Sequence, residues 1–321
     1  MERIAIKDLK PDTEIISCYV IRNKQIFQKK NGEPYLRLTL GDKTGEIQAL
    51  MWDNLPKTEE IKTDDLFKVR GRVNNYQGRL QITIQNLEKT DFGEIEPTEF
   101  LPKGTQDINL LLFYLEKIIG TIKNTNLTEL LNSFFKEEAF LKDFMRYPAG
   151  KTLHHPFIGG LLEHTVSVVK ICENLSFLYE FLDYDLLVTS AFLHDIGKIK
   201  ELKFSSSINY TDEGKLLGHI ILGIEMIDEK IRSIPDFPLE LSNELKHIIL
   251  SHHGEYEYGS PKKPMTLESL VLHYADNIDA KVNGFKIWME SKPDSSDSGW
   301  TEFWPLMERY LFRSKNNFTN E

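Results

Sequence analysis

Residues 185–198 read DLLVTSAFLHDIGK. Apolar side chains fill this stretch almost without interruption, which predicts a buried helix that carries His194 and Asp195 near its end. We expect Gly197 to end the helix, so that the His–Asp pair lies where a core element opens toward a pocket. Ionisable groups at the edge of a core need compensation, and a divalent cation supplies it. The stretch therefore predicts a helical fold that holds a metal site.

Other side chains of the same type lie on or next to further predicted helices. Together they are enough for two ions, and paired ions about 3.5–4 Å apart are typical of enzymes that attack phosphate esters. The candidate metal ligands are His164, His194, Asp195, His219, His252, His253 and Asp276. His253 could instead contact substrate or groups behind the ligands. His247 is interpreted as structural, while His154 and His155 could reach a phosphate or form a plain turn.

Apolar positions recur with the period of an α-helix from about residue 108 onward. The predicted helices span residues 108–120, 127–146, 156–176, 184–197, 215–232, 238–252 and 266–290. No strand pattern of comparable strength appears there. We therefore expect an all-helical domain over residues 108–321.

The first ninety residues show the period-2 alternation of β-strands. The predicted strands span residues 14–22, 35–40, 46–52, 65–73 and 79–87, and residues 53–64 could hold a helix. Five strands with a helix after the third are typical of an OB-fold β-barrel, here residues 1–90. Residues 91–107, which contain prolines, glycines and acids, are predicted to form a linker. The expected fold class is multidomain, a five-stranded barrel followed by a helical domain.

The charge of the chain is distributed unevenly. The net charge is −10, but residues 1–90 alone carry +3. An acidic protein repels nucleic acid at long range, so a polyanion would bind at the barrel if it binds at all. No window reaches the roughly 18 apolar residues of a membrane span. The charged start of the chain lacks the features of a secretory signal, so we expect a cytoplasmic protein without a membrane partner.

An OB fold often binds single-stranded nucleic acid through its strand 2–3 face and two flanking loops. Here the predicted loops are residues 22–32 (RNKQIFQKKNG) and 74–79 (NNYQGR). Aromatic rings can stack on bases, and cations can neutralise phosphates. The candidate nucleic-acid contacts are Lys24, Phe27, Lys29, Lys30, Tyr35, Arg37, Tyr76 and Arg79. The alternative is an ordinary barrel surface on which the aromatic rings pack the loops down.

The order H…HD…H…HH…D, with the motif HDIGK, resembles the HD-domain phosphohydrolase superfamily. The resemblance implies a helical fold that hydrolyses phosphate esters with bound metal ions. By motif, the ligands of a first ion would be His164, His194, Asp195 and Asp276. Asp195, a catalytic residue, would bridge to a second ion held also by His219 and His252. Lys198 matches the lysine of the HDxxK pattern and would steady a phosphate oxygen, although a solvated lysine at a helix end is the alternative.

Nearly the whole chain resembles the YhaM-type 3′–5′ exoribonucleases of bacteria. The segments that carry the resemblance are GDKTGEIQALMWD, PAGKTLHHPFIGGLLEHT, HDIGKI, SHHGE and ADNIDAK. The resemblance implies degradation of single-stranded RNA, and also of DNA, from the 3′ end. It further implies a preference for Mn²⁺, with Mg²⁺, Co²⁺ and Fe²⁺ as alternatives. The expected products are nucleoside 5′-monophosphates.

Two other functions stay open at this point. One is an HD-type phosphodiesterase or phosphohydrolase that acts on a cyclic dinucleotide or a nucleotide, with a regulatory barrel. The other is a non-catalytic nucleic-acid-binding factor that keeps the metal for structure. The aromatic and basic side chains of the barrel speak against the first alternative, and the full ligand set speaks against the second. The sequence leaves the oligomeric state open, a homo-oligomer included.

Overall fold

The computed structural model of the chain describes residues 3–93, 96–151, 155–291 and 299–314. The chain forms two compact units. Residues Met1–Lys103 together with Phe204–Ile208 form the first, and Gly104–Lys203 together with Asn209–Glu321 form the second. Within the described residues, every helix is too short or too polar to cross a lipid bilayer.

The first unit contains a closed five-stranded barrel, as predicted. Its strands are β1 (Glu14–Gln28), β2 (Pro34–Asp42), β3 (Gly45–Met51), β4 (Leu66–Tyr76) and β5 (Arg79–Thr90). They close in the order β1-β2-β3-β5-β4, with β3 and β5 parallel. The helix predicted within residues 53–64 is reduced to one 3-10 turn at Thr58–Glu60. Pro56 and the left-handed Asn54 leave little room for a longer helix before the buried Ile61.

Alternating residues fill the barrel interior, which is why the strands were visible in the sequence. Leu36, Leu38 and Leu40 of β2 are fully buried, whereas the alternating residues Tyr35 and Arg37 face outward. On β3, alternate residues from position 47 to position 51 are likewise buried. The residues between these buried positions form the outer face of β2 and β3, which, with the adjoining β4–β5 hairpin, we call the barrel wall.

The first predicted loop is mostly strand, which corrects the prediction for residues 22–32. A register shift between Ile21 and Asn23 lets β1 continue along β2 beyond its pairing with β4. The turn itself is short, because Lys29 N–H donates to Glu33 O at 2.7 Å. Lys24 and Phe27 consequently lie on a strand, with Phe27 directly opposite Tyr35.

The second half of the predicted linker packs against the barrel. Residues Pro97–Phe100 form a 3-10 turn, and the Phe100 ring is buried against Val20 and Leu66. This part of the predicted linker is therefore packed, despite its proline- and acid-rich composition. The first helix begins directly after Asp107, whose carboxylate accepts from Asn109 N–H at 2.8 Å.

Helices dominate the second unit, as predicted. They are α1 (Ile108–Ile119), α2 (Thr125–Phe135), α3 (Glu138–Phe144), α4 (Gly160–Leu178), α5 (Tyr184–Leu193), α6 (Lys198–Glu201), α7 (Asp212–Ser233), α8 (Leu239–Leu250) and α9 (Leu267–Ser291). The predicted helix 127–146 is two helices, broken around Lys136. A hairpin of β6 (Leu202–Phe204) and β7 (Ile208–Tyr210) interrupts the expected all-helical pattern. Its three-residue strands are too short to show an alternating pattern.

Two glycines shape the segment around the His–Asp pair, and the prediction that Gly197 ends a helix is wrong. Helix α5 already ends at Leu193, and Gly197 has a right-handed backbone with φ −62°. A Cβ on Gly197 would lie 1.9 Å from the carbonyl oxygen of His219, so glycine is required for close approach to α7. Helix α7 itself breaks at Gly218, where φ is +74°. The chain therefore resumes its helix with His219 against the segment that carries the His–Asp pair.

Candidate metal centre and nucleic-acid interface

The seven predicted metal ligands converge in the second unit. His164 lies on α4 and Asp276 on α9, whereas the others flank helix ends or the break in α7. His164, His194, Asp195 and His252 are at most 2% exposed. Buried imidazole and carboxylate groups at this density are costly unless something compensates them.

The first group of ligands surrounds the Nε2 atom of His164. This atom lies 3.1 Å from His194 Nε2, 3.2 Å from Asp195 Oδ2 and 3.3 Å from Asp276 Oδ1. Ligands bound to one ion at about 2.1 Å are themselves separated by about 3.0–3.4 Å in octahedral or tetrahedral geometry. His194 Nε2 lies 3.4 Å from Asp195 Oδ2 and 4.0 Å from Asp276 Oδ1, so all but the last of these distances have the spacing that a single ion requires.

The second group of ligands faces the other oxygen of Asp195. The side-chain nitrogens of His219, His252 and His253 lie within 4.8 Å of one another. Asp195 Oδ1 is 3.4 Å from His219 Nε2 and 3.8 Å from His252 Nε2. The two oxygens of one carboxylate thus face two different ligand groups, the arrangement that a bridging ligand requires.

All five histidines are oriented by hydrogen bonds at their Nδ1 atoms. Because each partner is a carbonyl or carboxylate oxygen, Nδ1 must carry the proton and donate it. The partners are Ala191 O for His194, Ile249 O for His252, Tyr258 O for His253, Glu201 Oε1 for His219 and Asp279 Oδ2 for His164, at 2.7–3.1 Å. In the neutral form of each ring, Nε2 is left as an acceptor, which is how metal-binding histidines are held.

Three buried atoms of the centre have no hydrogen-bond partner among the described residues. They are Asp195 Oδ1, His219 Nε2 and His252 Nε2. A buried polar atom without a partner costs about 1–3 kcal/mol. All three atoms belong to the second ligand group and are potential metal donors. A divalent cation fits this donor set and would satisfy all three.

The pKa shifts of Asp195 and His252 favour a bound cation, whereas that of His164 opposes one. Burial alone would raise the pKa of Asp195, but Lys198 and His194 hold it well below its usual value. Burial, together with His253 nearby, holds the pKa of His252 well below that of a free histidine. Burial opposes charge on His164 too, yet hydrogen bonds to carboxylates, Asp195 first, raise its pKa well above normal. A cation binding at the first group would therefore displace a proton from His164.

Lys198 is part of this centre. The residue is 6% exposed, and Nζ donates to Asp195 Oδ2 at 2.5 Å. It begins α6 instead of ending a helix, so the alternative of a solvated lysine at a helix end is wrong. Its ammonium neutralises a buried carboxylate, and a contact with a phosphate oxygen stays a prediction.

Sequence reasoning missed two side chains behind the ligands, Asp279 and Glu201, and it did not place His155 beside them. His155 is 3% exposed, and its Nε2 lies 3.0 Å from Asp279 Oδ2. His155 does lie in a turn before α4, where its carbonyl oxygen accepts from Phe157 N–H at 2.9 Å, but its buried ring contacts Asp279, which speaks against a phosphate contact. His154 lies outside the described residues. Asp279 could have been found, because it follows Asp276 by three residues on one helix face. The structural interpretation of His247 agrees with its Nε2 accepting from Met265 N–H at 3.0 Å.

On the barrel, three rings form a stacked set that we call the aromatic row: Phe27, Tyr35 and Trp52. The centroids of Phe27 and Tyr35 are 5.5 Å apart, and those of Tyr35 and Trp52 are 4.5 Å apart. The Arg37 guanidinium lies 4.7 Å from the centroid of Phe27. Trp52 was not predicted, although the alternation of β3 places it on the same outer face as Gln48.

Two of the predicted phosphate contacts already have protein partners. Lys24 Nζ donates at 2.8 Å to the carbonyl oxygens of Thr58 and of Ile61. Lys29 Nζ lies 2.7 Å from Asp53 Oδ1 and 3.2 Å from Glu33 Oε2. Lys30, in contrast, is exposed at the turn.

Tyr76 and Arg79 lie opposite each other at the β4–β5 hairpin, and Tyr76 is 59% exposed. Gln48 of β3 pairs with Gln81 of β5, so Arg79, two residues earlier, lies toward the first residues of β3. Trp52 follows the last residue of the same strand. The hairpin and the aromatic row thus occupy opposite ends of one barrel wall, roughly 20 Å apart along β3.

Comparisons with known proteins match both units. The HD domain family matches residues 161–281, and the OB-fold nucleic acid binding domain family matches residues 20–90. The 3′-5′ exoribonuclease YhaM of Bacillus velezensis is 38% identical over 84% of this chain and 85% of that protein. The Bacillus subtilis protein of the same name is 37% identical over 79% of this chain and 80% of that protein.

Among solved structures, a domain of replication protein A from Methanococcus maripaludis is 26% identical, with a TM-score of 0.24. The match covers 28% of this chain and 97% of that one. It adds nothing to the barrel topology described above. Identity well above 30% over most of both chains does settle the family: this chain belongs to the YhaM family of 3′–5′ exoribonucleases.

Proposed function

We propose that this protein is a metal-dependent 3′–5′ exoribonuclease that degrades single-stranded RNA to nucleoside 5′-monophosphates. Single-stranded DNA is a second substrate of the same chemical class. The support comes from the family, whose named members are 3′-5′ exoribonucleases, and from the ligand arrangement of the helical unit.

The observation that carries the proposal is the position of Asp195 between two ligand groups. One of its oxygens lies 3.2 Å from His164 Nε2, and the other lies 3.4 Å from His219 Nε2. Two ions bound on either side of this carboxylate would stabilise the charge on the attacking and leaving oxygens of a phosphodiester. We propose His164, His194, Asp195 and Asp276 as ligands of the first ion, and His219, His252 and His253 with Asp195 as ligands of the second.

The protein groups around these ligands have separate tasks. Asp195 stays ionised, because Lys198 and His194 lower its pKa. Lys198 limits the electrostatic cost of that buried charge and offers N–H groups to a phosphate oxygen that enters the centre. The histidines on the second side donate their Nδ1 protons to oxygen atoms, which leaves their Nε2 atoms facing the centre. The centre is thereby ready to hold cations and to orient a phosphodiester, and we propose Asp195 and Lys198 as its catalytic residues.

We propose that the barrel wall binds the unpaired strand. The aromatic row offers faces on which bases can stack, at about 1–3 kcal/mol per base. Arg37, Lys30 and Arg79 supply positive charge for phosphates, and Tyr76 a further ring. Trp52 is added to the predicted contacts on the strength of its stacking with Tyr35.

We propose two Mn²⁺ ions as the cofactor. A mixed set of imidazole and carboxylate ligands suits Mn, Fe, Co or Zn, and the preference for Mn²⁺ follows the family resemblance. We place the protein in the cytoplasm, where the thiols of its free cysteines, Cys18 and Cys172, would stay reduced.

The test is digestion of a 5′-labelled single-stranded RNA by the full chain with Mn²⁺. We expect the labelled strand to shorten one nucleotide at a time and the small product to carry a 5′-phosphate. A duplex of the same sequence should resist, because a stacking surface needs unpaired bases. Asp195→Asn should abolish this digestion. Its matched control is Asp236→Asn, which removes an exposed carboxylate and should not change turnover.

Three results would contradict the proposal in different ways. Immediate release of the label as a mononucleotide would reverse the polarity. Internal fragments would indicate an endonuclease. Intact RNA beside rapid hydrolysis of a cyclic dinucleotide would favour a small-molecule phosphodiesterase with a regulatory barrel.

A further inference from the structure

The five histidines of the metal centre differ in what receives their Nδ1 proton. His194, His252 and His253 donate to backbone carbonyl oxygens. His164 and His219 donate to the carboxylates of Asp279 and Glu201. One histidine with a carboxylate partner therefore stands in each of the two ligand groups.

Asp279 is fixed on several sides. Its Oδ2 accepts from His164 Nδ1 at 2.7 Å and lies 3.0 Å from His155 Nε2. Its Oδ1 accepts from Asn283 Nδ2 at 2.9 Å. With 3% exposure, the carboxylate is out of reach of bulk water and of an entering substrate. Its contacts therefore fix the orientation of His164, and its burial keeps it from contacting a substrate directly.

The chain adopts an unusual backbone to bring His155 to Asp279. His155 has φ +53°, a conformation that non-glycine residues rarely adopt. Its carbonyl oxygen accepts from Ala149 N–H at 3.2 Å and from Phe157 N–H at 2.9 Å. A Cβ on Gly160 would lie 2.1 Å from the same oxygen. A strained residue with a closely packed carbonyl indicates that the position of this ring is specified.

Glu201 plays the corresponding part in the second ligand group. Its Oε1 accepts from His219 Nδ1 at 3.1 Å and from the His219 backbone N–H at 3.0 Å. That N–H follows the break at Gly218, where the chain lacks regular helical hydrogen bonding. One carboxylate oxygen thus fixes both the ring and the backbone of His219.

We propose that Asp279 and Glu201 are positioning residues that each control one metal site. Asp279 sets the affinity of the first site through His164, and Glu201 sets that of the second through His219. A carboxylate behind an imidazole fixes its tautomer and makes its other nitrogen a better donor, and loss of such a partner typically costs 10–100-fold in metal affinity. The inference rests on the proposed two-ion centre.

The experiment is a titration of the full-length, metal-free protein with Mn²⁺, followed by calorimetry and by electron paramagnetic resonance. His164→Ala and His219→Ala first identify which binding step belongs to which site. Asp279→Asn should then weaken the first-site step by about 10–100-fold and leave the other step within about twofold. Glu201→Gln should do the reverse, so each variant is a control for the other. In both variants the signal of coupled Mn²⁺ pairs should give way to that of single ions.

Matched controls separate site-specific loss from general damage. Asp236→Asn and Glu229→Gln remove exposed carboxylates of the same types and should leave both steps unchanged. Circular dichroism of each metal-free variant reports whether the fold survives. Should Asp279→Asn fail to fold, His155→Phe gives the second route. It removes one hydrogen bond to Asp279 and should weaken the first-site step alone, by a smaller factor of about 2–10-fold.

Equal weakening of both steps by Asp279→Asn and by Glu201→Gln would overturn the inference, as would unchanged affinity in both. These results are distinct from failure of the proposed function. Wild-type protein that binds two ions without hydrolysing RNA would refute the nuclease proposal and leave the positioning roles standing. Wild-type protein that hydrolyses RNA while its variants lose no site selectively would refute the positioning roles alone.

Discussion

The barrel wall and the metal centre differ in whether their polar and aromatic side chains have partners within the described part of the protein. On the barrel, Lys24 and Lys29 have protein partners and the rings of the aromatic row contact one another. In the metal centre, buried atoms such as Asp195 Oδ1 lack a hydrogen-bond partner among the described residues. The barrel surface is therefore stable without a ligand, whereas the metal centre is costly without one. Under the proposed function, the barrel surface must release and rebind an RNA strand, which suits the first condition, and the metal ions stay bound, which suits the second.

The largest expected effect tests the metal centre. Asp195→Asn removes the one charge that faces both ligand groups, so we expect turnover to fall by roughly 1,000-fold. RNA affinity should change little, because the aromatic row belongs to the other unit. Turnover on labelled RNA and affinity by fluorescence anisotropy measure the two quantities. Retention of more than a few per cent of turnover at unchanged metal content would refute the bridging role.

A second variant tests whether the ammonium of Lys198 balances the buried charge of Asp195. Lys198→Met leaves Asp195 without its buried counter-ion, and we expect the metal-free protein to lose about 3 kcal/mol of unfolding free energy. Added Mn²⁺ should recover most of that loss, because cations beside Asp195 replace the missing charge. Urea unfolding with and without Mn²⁺ measures the difference. Equal destabilisation in both conditions would mean that the ammonium serves packing instead of charge balance.

The third effect concerns the barrel. Trp52→Ala should weaken binding of single-stranded RNA by about 5–160-fold, since one stacked base contributes about 1–3 kcal/mol. Turnover at saturating RNA should stay near the wild-type value. Phe113→Ala, which removes an exposed ring from α1, is the matched control and should not affect binding. An equal loss in both variants would indicate that Trp52 is an ordinary surface ring.

The smallest effect distinguishes an exposed lysine from one whose ammonium already binds carbonyl oxygens of the protein. Lys30→Met should reduce the salt dependence of RNA binding by about 0.7 in the log–log slope, the value of one phosphate contact on a single strand. Lys24→Met should leave the slope unchanged, because its ammonium already binds the carbonyl oxygens of Thr58 and Ile61. Anisotropy titrations from low to moderate salt measure both slopes. A lower slope for Lys24→Met would show that RNA displaces those internal bonds.

The predictable parts of the molecule were those with a regular period or a strong local motif. The five strands and the apolar helices follow from alternation and from helical periodicity, and the ligand series follows from residue type and order. The missed parts depend on contacts distant in sequence. Nothing near Glu201 indicates that it binds His219, eighteen residues later, across a hairpin and a broken helix. Trp52 was missed for a different reason, since the alternation that exposes it was visible but its neighbour Tyr35 lies on another strand.

The break at Gly218 also bears on how such a chain can change over time. In a continuous helix, adding one residue rotates everything after it by about 100°. Here the first turns of α7, from Asp212, are separated from His219 by a left-handed residue. A change of length before the break would therefore not rotate His219 by that full angle away from Asp195. A change of length directly after His219 would have no such hinge, and it would turn the remainder of α7 away from its packing against α8. The break therefore separates the orientation of His219 from the helical register of the residues before it.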